Sequence, residues 1–430
     1  MKNKKNSKIW LILSSISALT AIFPLVAISC DYKVKQNSKE NKEDLKPDEN
    51  KPEPKPENPT KEDDSKPDEN KPKPKPENPT KEEDSSNLNK KFKFELTKSN
   101  TWKITKFIGN DSKVTIPREY QGKNITEIGN RAFFNSVIQS VTIPGSVKEI
   151  GESAFSGCRN IKEVFLNEGL EKIGSEAFKY TNIESITIPG SIKEIDKGAF
   201  SWCTNLKEVI LNEGLEKIGA GAFNYTRIES INIPGSVKEI GGSAFSWCEN
   251  LKEVILNEGL EKIGAFAFYD TNIESITIPD SVKEIGKGAL YIWNIRSIFI
   301  NPNNKNFEIN DNFFIDKNNK KILEYLDKKT TKVTIPGSVK EIGEWAFSDC
   351  KYLREVILNE GLEKIGTGVF SNTNIESISI PGSVKEIGES AFSGCWNLKK
   401  VIYKGDASNI NRWLNIGIDK TKIKIIPSNN

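Results

Sequence analysis

Apolar positions recur along this chain with a pattern that repeats every 45 residues. One block, from Ile143 to Thr187, reads IPGSVKEIGESAFSGCRNIKEVFLNEGLEKIGSEAFKYTNIESIT. Its opening Ile-Pro pair returns at Ile188, Ile233, Ile278, Ile335 and Ile380. The spacing is 45 each time, except between Ile278 and Ile335, where 12 extra residues intrude. Each block holds two similar halves, marked by an Ala-Phe pair or a close variant. These fall at Phe133, Phe155, Phe178, Phe200, Phe223, Phe245, Phe268, Leu290, Phe347, Phe370 and Phe392, at half-periods alternating between 22 and 23. Repetition at 20 to 50 residues describes a solenoid, in which each unit buries its apolar face only against its neighbours. Such folds mostly bind and rarely catalyse.

Within a half, period-two alternation predicts strands and the Ala-Phe segment a helical turn. In the half that begins at Ile183, Ile183, Ile186 and Ile188 point inward on a first strand. Pro189-Gly190 makes the corner, with Pro fixing the first turn position and Gly expected to take the positive φ of the next. Ile192 and Ile195 point inward on a second short strand, and Ala199-Phe200 close the coil. Residues 89–130 carry a different text, KFKFELTKSNTWKITKFIG within it, and read as a cap plus a first repeat. Residues 131–400 are the solenoid and 401–430 a C-terminal cap, since terminal units need a polar outer face. Near 301–328, FFIDKNNKKILEYL predicts a hairpin about an Asn-Asn turn, with Phe313-Phe314 in the Ala-Phe slot.

The spacing I-x-x-I-x-I-P, with Ala-Phe and Cys downstream, resembles the leucine-rich repeat, in its BspA-like, treponemal-type subclass. The resemblance spans about residues 92–426. It implies a right-handed solenoid with a parallel β-sheet and short helical turns, about 12 coils here, that binds other proteins on its concave sheet. The crossover rule favours the same hand.

Composition changes the picture only at the N-terminus. Lys2, Lys4, Lys5 and Lys8 precede the apolar run Ile9–Ile28, as in an export signal. The end, Ala27-Ile28-Ser29-Cys30, resembles a lipobox of the loose form found in wall-less bacteria. That resemblance implies a signal peptide over 1–29, cleavage before Cys30 and acylation of its thiol. An uncleaved membrane helix is the alternative, because the apolar run is nearly long enough to span. Residues 30–88 form a linker in which KPDENKPEPKPENPTKEDDS, Lys46 to Ser65, returns almost unchanged from Lys66 to Ser85. That repeat has no aromatic and no branched aliphatic side chain, so it cannot offset its ordering entropy, and the linker reads as a disordered stalk. Forty such residues extend on the order of 100 Å. Without the four signal lysines the chain holds 58 basic and 59 acidic residues. That balance leaves no footprint for nucleic acid.

The chain has no histidine. This excludes Ser-His and Cys-His nucleophiles and imidazole metal sites. No phosphate loop, dinucleotide fingerprint or calcium loop is present, so neither a cofactor nor a small-molecule substrate is expected. The charges follow a rule of their own. One outward column reads Lys148, Glu171, Lys193, Glu216, Lys238, Glu261, Lys283, and its neighbour reads Glu149, Lys172, Glu194, Lys217, Glu239, Lys262, Glu284. Equivalent residues of an in-register stack lie about 4.8 Å apart, so alternating signs attract and a slip of one coil sets like on like. Cys158, Cys203, Cys248, Cys350 and Cys395 share one slot of alternate coils, with Trp293 where another would fall. At roughly 10 Å apart they are too distant for disulfides and read as buried thiols. Trp202, Trp247, Trp345 and Trp396, beside that slot, read as packing at the turn.

One outward row carries a binding hypothesis. Large apolar Phe165, Ile210, Ile255, Phe299, Ile357 and Ile402 alternate with small polar residues along one face, and exposed apolar rows mark interaction surfaces. Plain β-propensity on a half-covered strand is the alternative. Taken together, the sequence describes a lipid-anchored protein on the outer side of the cell membrane, not an enzyme, whose repeat rod adheres to extracellular or host proteins. The adhesive role comes from the resemblance. The rival is a structural or immune-decoy coat without a dedicated ligand.

Overall fold

The computed structural model describes residues 85–292, 295–410, 415–418 and 420–426. The segment read as an export signal, Cys30, almost all of the stretch read as a stalk and Trp293 lie outside them. The folded part opens with the helix Ser85–Lys91, which buries Leu88. The boundary at 88 read from composition therefore falls inside a folded element. The antiparallel hairpin Phe92–Leu96/Trp102–Phe107 follows and caps the first coil.

The rest is a parallel β-solenoid of about 14 turns, two more than the marker residues count, because both caps contribute coils. The inward positions are where alternation places them: Ile183, Ile186, Ile188, Ile192, Ile195, Ala199 and Phe200 are all buried. Second strands of two residues, such as Glu194–Ile195 and Lys217–Ile218, join the N-terminal strands in one continuous sheet that runs to Glu284–Ile285. First strands pair in register coil by coil, as Ser185–Ile188 does with Glu208–Leu211. Their ladder lapses at every second step between Leu166 and Ser275. Phe133, Phe155, Phe178, Phe200, Phe223, Phe245 and Phe268 stack into a column of rings with centroids 4.7 to 5.5 Å apart.

Two local devices differ from expectation. The Ala-Phe segment is a turn with two left-handed residues, not a helical one. Ser153 and Gly157 have φ of 53° and 75°. This aims alternate N–H groups at the next coil: Ser153 N–H donates to Ser175 O, Phe155 N–H to Ala177 O and Gly157 N–H to Lys179 O, at 2.7 to 2.9 Å. A helix would consume those donors internally, while the solenoid uses them to join its coils. The corner glycine, too, serves a different purpose. Gly190 does not take a positive φ; a Cβ there would lie 2.6 Å from the Glu213 carbonyl oxygen of the next coil, so close approach requires glycine. The left-handed residue is Gly214, at φ 111°. The corner is held by the preceding coil, where the Glu168 carboxylate accepts from the Gly190 and Ser191 N–H groups. Glu213 repeats this on Gly235 and Ser236, and the two N–H groups hold its carboxyl below the usual range.

The interruption forms three antiparallel strands, Phe307–Asn310, Phe313–Asp316 and Lys321–Tyr325, and so contains the expected hairpin. Phe313-Phe314 do not take the Ala-Phe slot. Tyr325 N–H donates to Ala346 O, the bond that a column Phe makes, and its ring stacks on Phe347 at 4.9 Å. Glu324 therefore stands in the place of the alanine. Tyr325 lies only three positions after Ile322, against five in a regular coil, which hid the match. Phe313 and Phe314 sit on opposite faces of their strand, and the apolar core divides there. Phe314 closes the N-terminal cluster and Phe313 opens the C-terminal one.

Candidate protein-binding face

The first strands carry the candidate row because period two turns outward the residue that lies between two inward aliphatic side chains, as Ile210 lies between Val209 and Leu211. Register brings Thr142 beside Phe165, Thr187 beside Ile210, Asn232 beside Ile255 and Thr277 beside Phe299. Phe165, Ile210, Ile255 and Phe299 are 42, 46, 47 and 57% exposed. Ile357 is exposed in the C-terminal stack between Thr334 and Ser379, and Ile402, beside Ser379, is half-buried. Large and small residues thus form ridges and troughs across one face. Two strand positions earlier stand Glu163, Glu208 and Glu253, which make no ion pair among the described residues.

The opposite, second-strand side is a charged lattice. Lys148 pairs with Glu171 at 3.1 Å, Lys193 with Glu216 at 3.4 Å, Lys217 with Glu194 at 3.5 Å and Lys283 with Glu261 at 2.8 Å. Each pair joins adjacent coils, as the alternating columns require. Its outward residues leave no apolar row for a partner.

The five solenoid cysteines are free and buried. Cys203 Sγ donates to the Phe178 carbonyl at 3.1 Å and Cys248 Sγ to Phe223 at 3.2 Å; Thr181 and Thr226 hydroxyls donate to the same carbonyls. Thr and Cys therefore alternate in one column, a regularity that reading the cysteines alone missed. Burial pushes the Cys203 and Cys248 thiols up to about 11, which makes them poor nucleophiles and ligands.

The tryptophans extend into a second ring row. Trp202 stacks on Tyr225 at 4.0 Å and Tyr225 on Trp247 at 5.6 Å; beyond them Tyr269 stacks on Tyr291. Tyr291 reaches Trp345 across the interruption and donates from its hydroxyl to Asp349 at 2.9 Å. The rings meet face to face or, as at Trp247–Tyr269 and Tyr291–Trp345, edge to face, so this row ties coils together on both sides of the interruption. Trp396 departs from the expected packing and is 91% exposed. A gap at the interruption, lined in part by Tyr291, Phe314, Lys321 and Glu344, measures about 10 Å³. That holds about one water. Among the described residues no group of three or more Cys, Asp or Glu side chains is placed to hold a metal.

This architecture is that of a leucine-rich repeat scaffold. The family described as the BspA type leucine rich repeat region matches residues 126–251, 216–326 and 324–429, and the chain belongs to it. Among solved structures, the chain is similar to a leucine rich cell surface protein from Faecalibacterium prausnitzii, at 25% identity and a TM-score of 0.56. That match covers 76% of this chain and 96% of the other. It is also similar in fold to the pneumococcal vaccine antigen PcpA, at 24% identity and a TM-score of 0.51 over 78% of this chain and 83% of that one. No curated protein matches the chain. Repeat solenoids of this family are typically non-catalytic binding scaffolds, and no enzymatic family is indicated.

Proposed function

We propose that the chain is a surface lipoprotein, acylated at Cys30 and facing outward. Its repeat rod binds extracellular or host proteins, as in adhesion to matrix or cell surfaces, and does no chemistry. The observation that carries the reading is the exposed row Phe165, Ile210, Ile255 and Phe299, in which large apolar side chains recur on alternate coils of one face. A coat without a ligand has no use for such a row. Similarity to a protein described as a cell surface protein supports the location, and the Ala-Ile-Ser-Cys end of the apolar segment supports the anchor. Ridges two coils apart suit a broad partner surface, not a small molecule in a closed pocket.

The test is binding of host matrix proteins by the variant Ile210→Ser/Ile255→Ser. These side chains face water, so its melting curve should stay close to wild type while binding drops at the centre of the face, where interface energy concentrates. Unchanged binding by the folded variant would move the site to the hairpin within Asn301–Lys328. For the anchor, Cys30→Ser should release the protein from the detergent phase. Retention would identify the apolar segment as a membrane span.

A further inference from the structure

Three parallel exposed rows cross the first-strand side of the solenoid, two on the strands and one at the residue that leads into each of them. At its centre the first row reads Glu184, Lys207, Glu229, Lys252. The second reads Ser185, Glu208, Ser230, Glu253, and the third Thr187, Ile210, Asn232, Ile255. All three alternate with a period of two coils, in charge sign, in acid against hydroxyl and in large against small.

We propose that this face pairs with the same face of a second copy of the chain. The two solenoids lie antiparallel, about a two-fold axis that runs between the strands Glu208–Leu211 and Ser230–Ile233. The inference rests on reading this face as protein-binding and names the partner. An in-plane two-fold parallel to the strands keeps each row on itself and reverses the order of coils. Placed between two coils, it sets every coil against one of opposite parity. Lys207 then meets Glu229 of the second copy, and Glu184 meets Lys252. Glu208 and Glu253 meet the hydroxyls of Ser230 and Ser185. Ile210 and Ile255 enter the troughs over Asn232 and Thr187. An axis through a coil would set like charge on like and ridge on ridge, and one along the solenoid would not keep the three rows on themselves, so the alternation selects this register.

Three of the four charges in the central part of the first row, Lys207, Glu229 and Lys252, are left open. Within one copy Lys162 bridges to Glu184 at 3.6 Å and Arg296 to Glu274 at 3.2 Å. Lys207, Glu229, Lys252, Glu208 and Glu253 make no ion pair among the described residues. The second-strand face alternates too, but most of its charges are paired within the copy and its columns hold no apolar row. A second copy matches the coil spacing at every step, whatever that spacing is; an unrelated partner does not. The antiparallel arrangement also sends the two Ser85 ends in opposite directions, which fits copies rooted on two facing surfaces.

Sedimentation velocity of the full chain in excess detergent, over a concentration series, should show a monomer–dimer equilibrium. Lys207→Glu and Glu229→Lys each create two like-charge contacts per dimer and should raise the dimer Kd about 100-fold. Mixed one to one, the two variants should recover a dimer near wild-type affinity, since each then opposes the other's reversed charge. Wild-type protein that stays monomeric overturns the proposal. So does a dimer indifferent to both variants, or no recovery on mixing when both variants melt as wild type. If the wild type is monomeric while Ile210→Ser/Ile255→Ser loses host-protein binding, self-pairing falls and the protein-binding face stands. If the charge swap behaves as expected and that double variant binds host proteins unchanged, the host partner falls and self-pairing stands.

Discussion

The regular coils and the interruption treat charge in opposite ways. On the regular second-strand side, lysines and glutamates sit in water, 3.1 Å apart at Lys148–Glu171 and 3.4 Å at Lys193–Glu216. Such pairs contribute about 0.2–1 kcal/mol each, and their value lies in the row, which penalises a slipped coil. At the interruption the same residue types are covered. Lys321 continues the ladder to Glu341 at 2.8 Å and also reaches Glu344 at 3.1 Å. In the neighbouring column the sign rule fails, because Lys320 lies beside Lys340. Glu324, in an alanine's place, is 6% exposed and bonded to Lys328 at 2.5 Å. Burial pushes its carboxyl up to about 6 against the pull of Lys328. An exposed pair acts through its place in a series; a buried one acts through its own desolvation and is costly to break.

The largest effect should come from breaking that buried pair. Lys328→Ala leaves Glu324 covered without a countercharge and should cost about 3 kcal/mol in urea unfolding, at the low end for buried pairs because Lys328 is itself partly exposed. Adding Glu324→Gln should recover most of the loss. If Lys328→Ala unfolds with the wild type, the contrast between the two regions has no energetic content.

Acid should sharpen the contrast. Glu324 takes up its proton near pH 6 when folded and near 4.5 when unfolded. The folded state therefore binds more protons between those values, and its stability rises as pH falls from 7 to 5, by about 1 kcal/mol. Glu324→Gln should lack that rise. The carboxylates held low on the ladder and corners, such as Glu213, Glu261 and Glu363, act in the opposite direction. Their contribution is lost only as pH falls below their ordinary range. Equal pH dependence of the two melting curves would remove Glu324 from the account.

The smallest effect belongs to the ladder. Glu216→Lys places a third positive charge between Lys193 and Lys238 and should lower stability by about 0.2–1 kcal/mol at low salt. The double variant with Lys238→Glu should recover part of it. Identical melting of all three proteins would mean that the row carries no register information.

Periodicity made the coils, the strand faces, the charge columns and the free thiols legible, because each depends on which residues share a face. The outward row fell where alternation placed it for the same reason. What stayed hidden depends on backbone direction and on contacts between coils. Nothing about Tyr180 or Trp202 announces a left-handed residue, yet their φ values are 58° and 60°. Gly190 looked like a turn residue but is a point of close approach. Tyr325 was missed because its coil is two residues short, and a ring in register declares itself only through its partner, Phe347.

The bonds from Ser153, Phe155 and Gly157 to the next coil run along the solenoid axis. Tension applied through the Ser85 end therefore pulls those bonds open one coil at a time; it does not shear many together. Each step frees 22 or 23 residues, about 70 Å of extended chain, and leaves the coil beyond it intact. Anchored at one end and gripped at the other, the rod would yield as a series of equal, reversible extensions, a molecular shock absorber with one increment per coil.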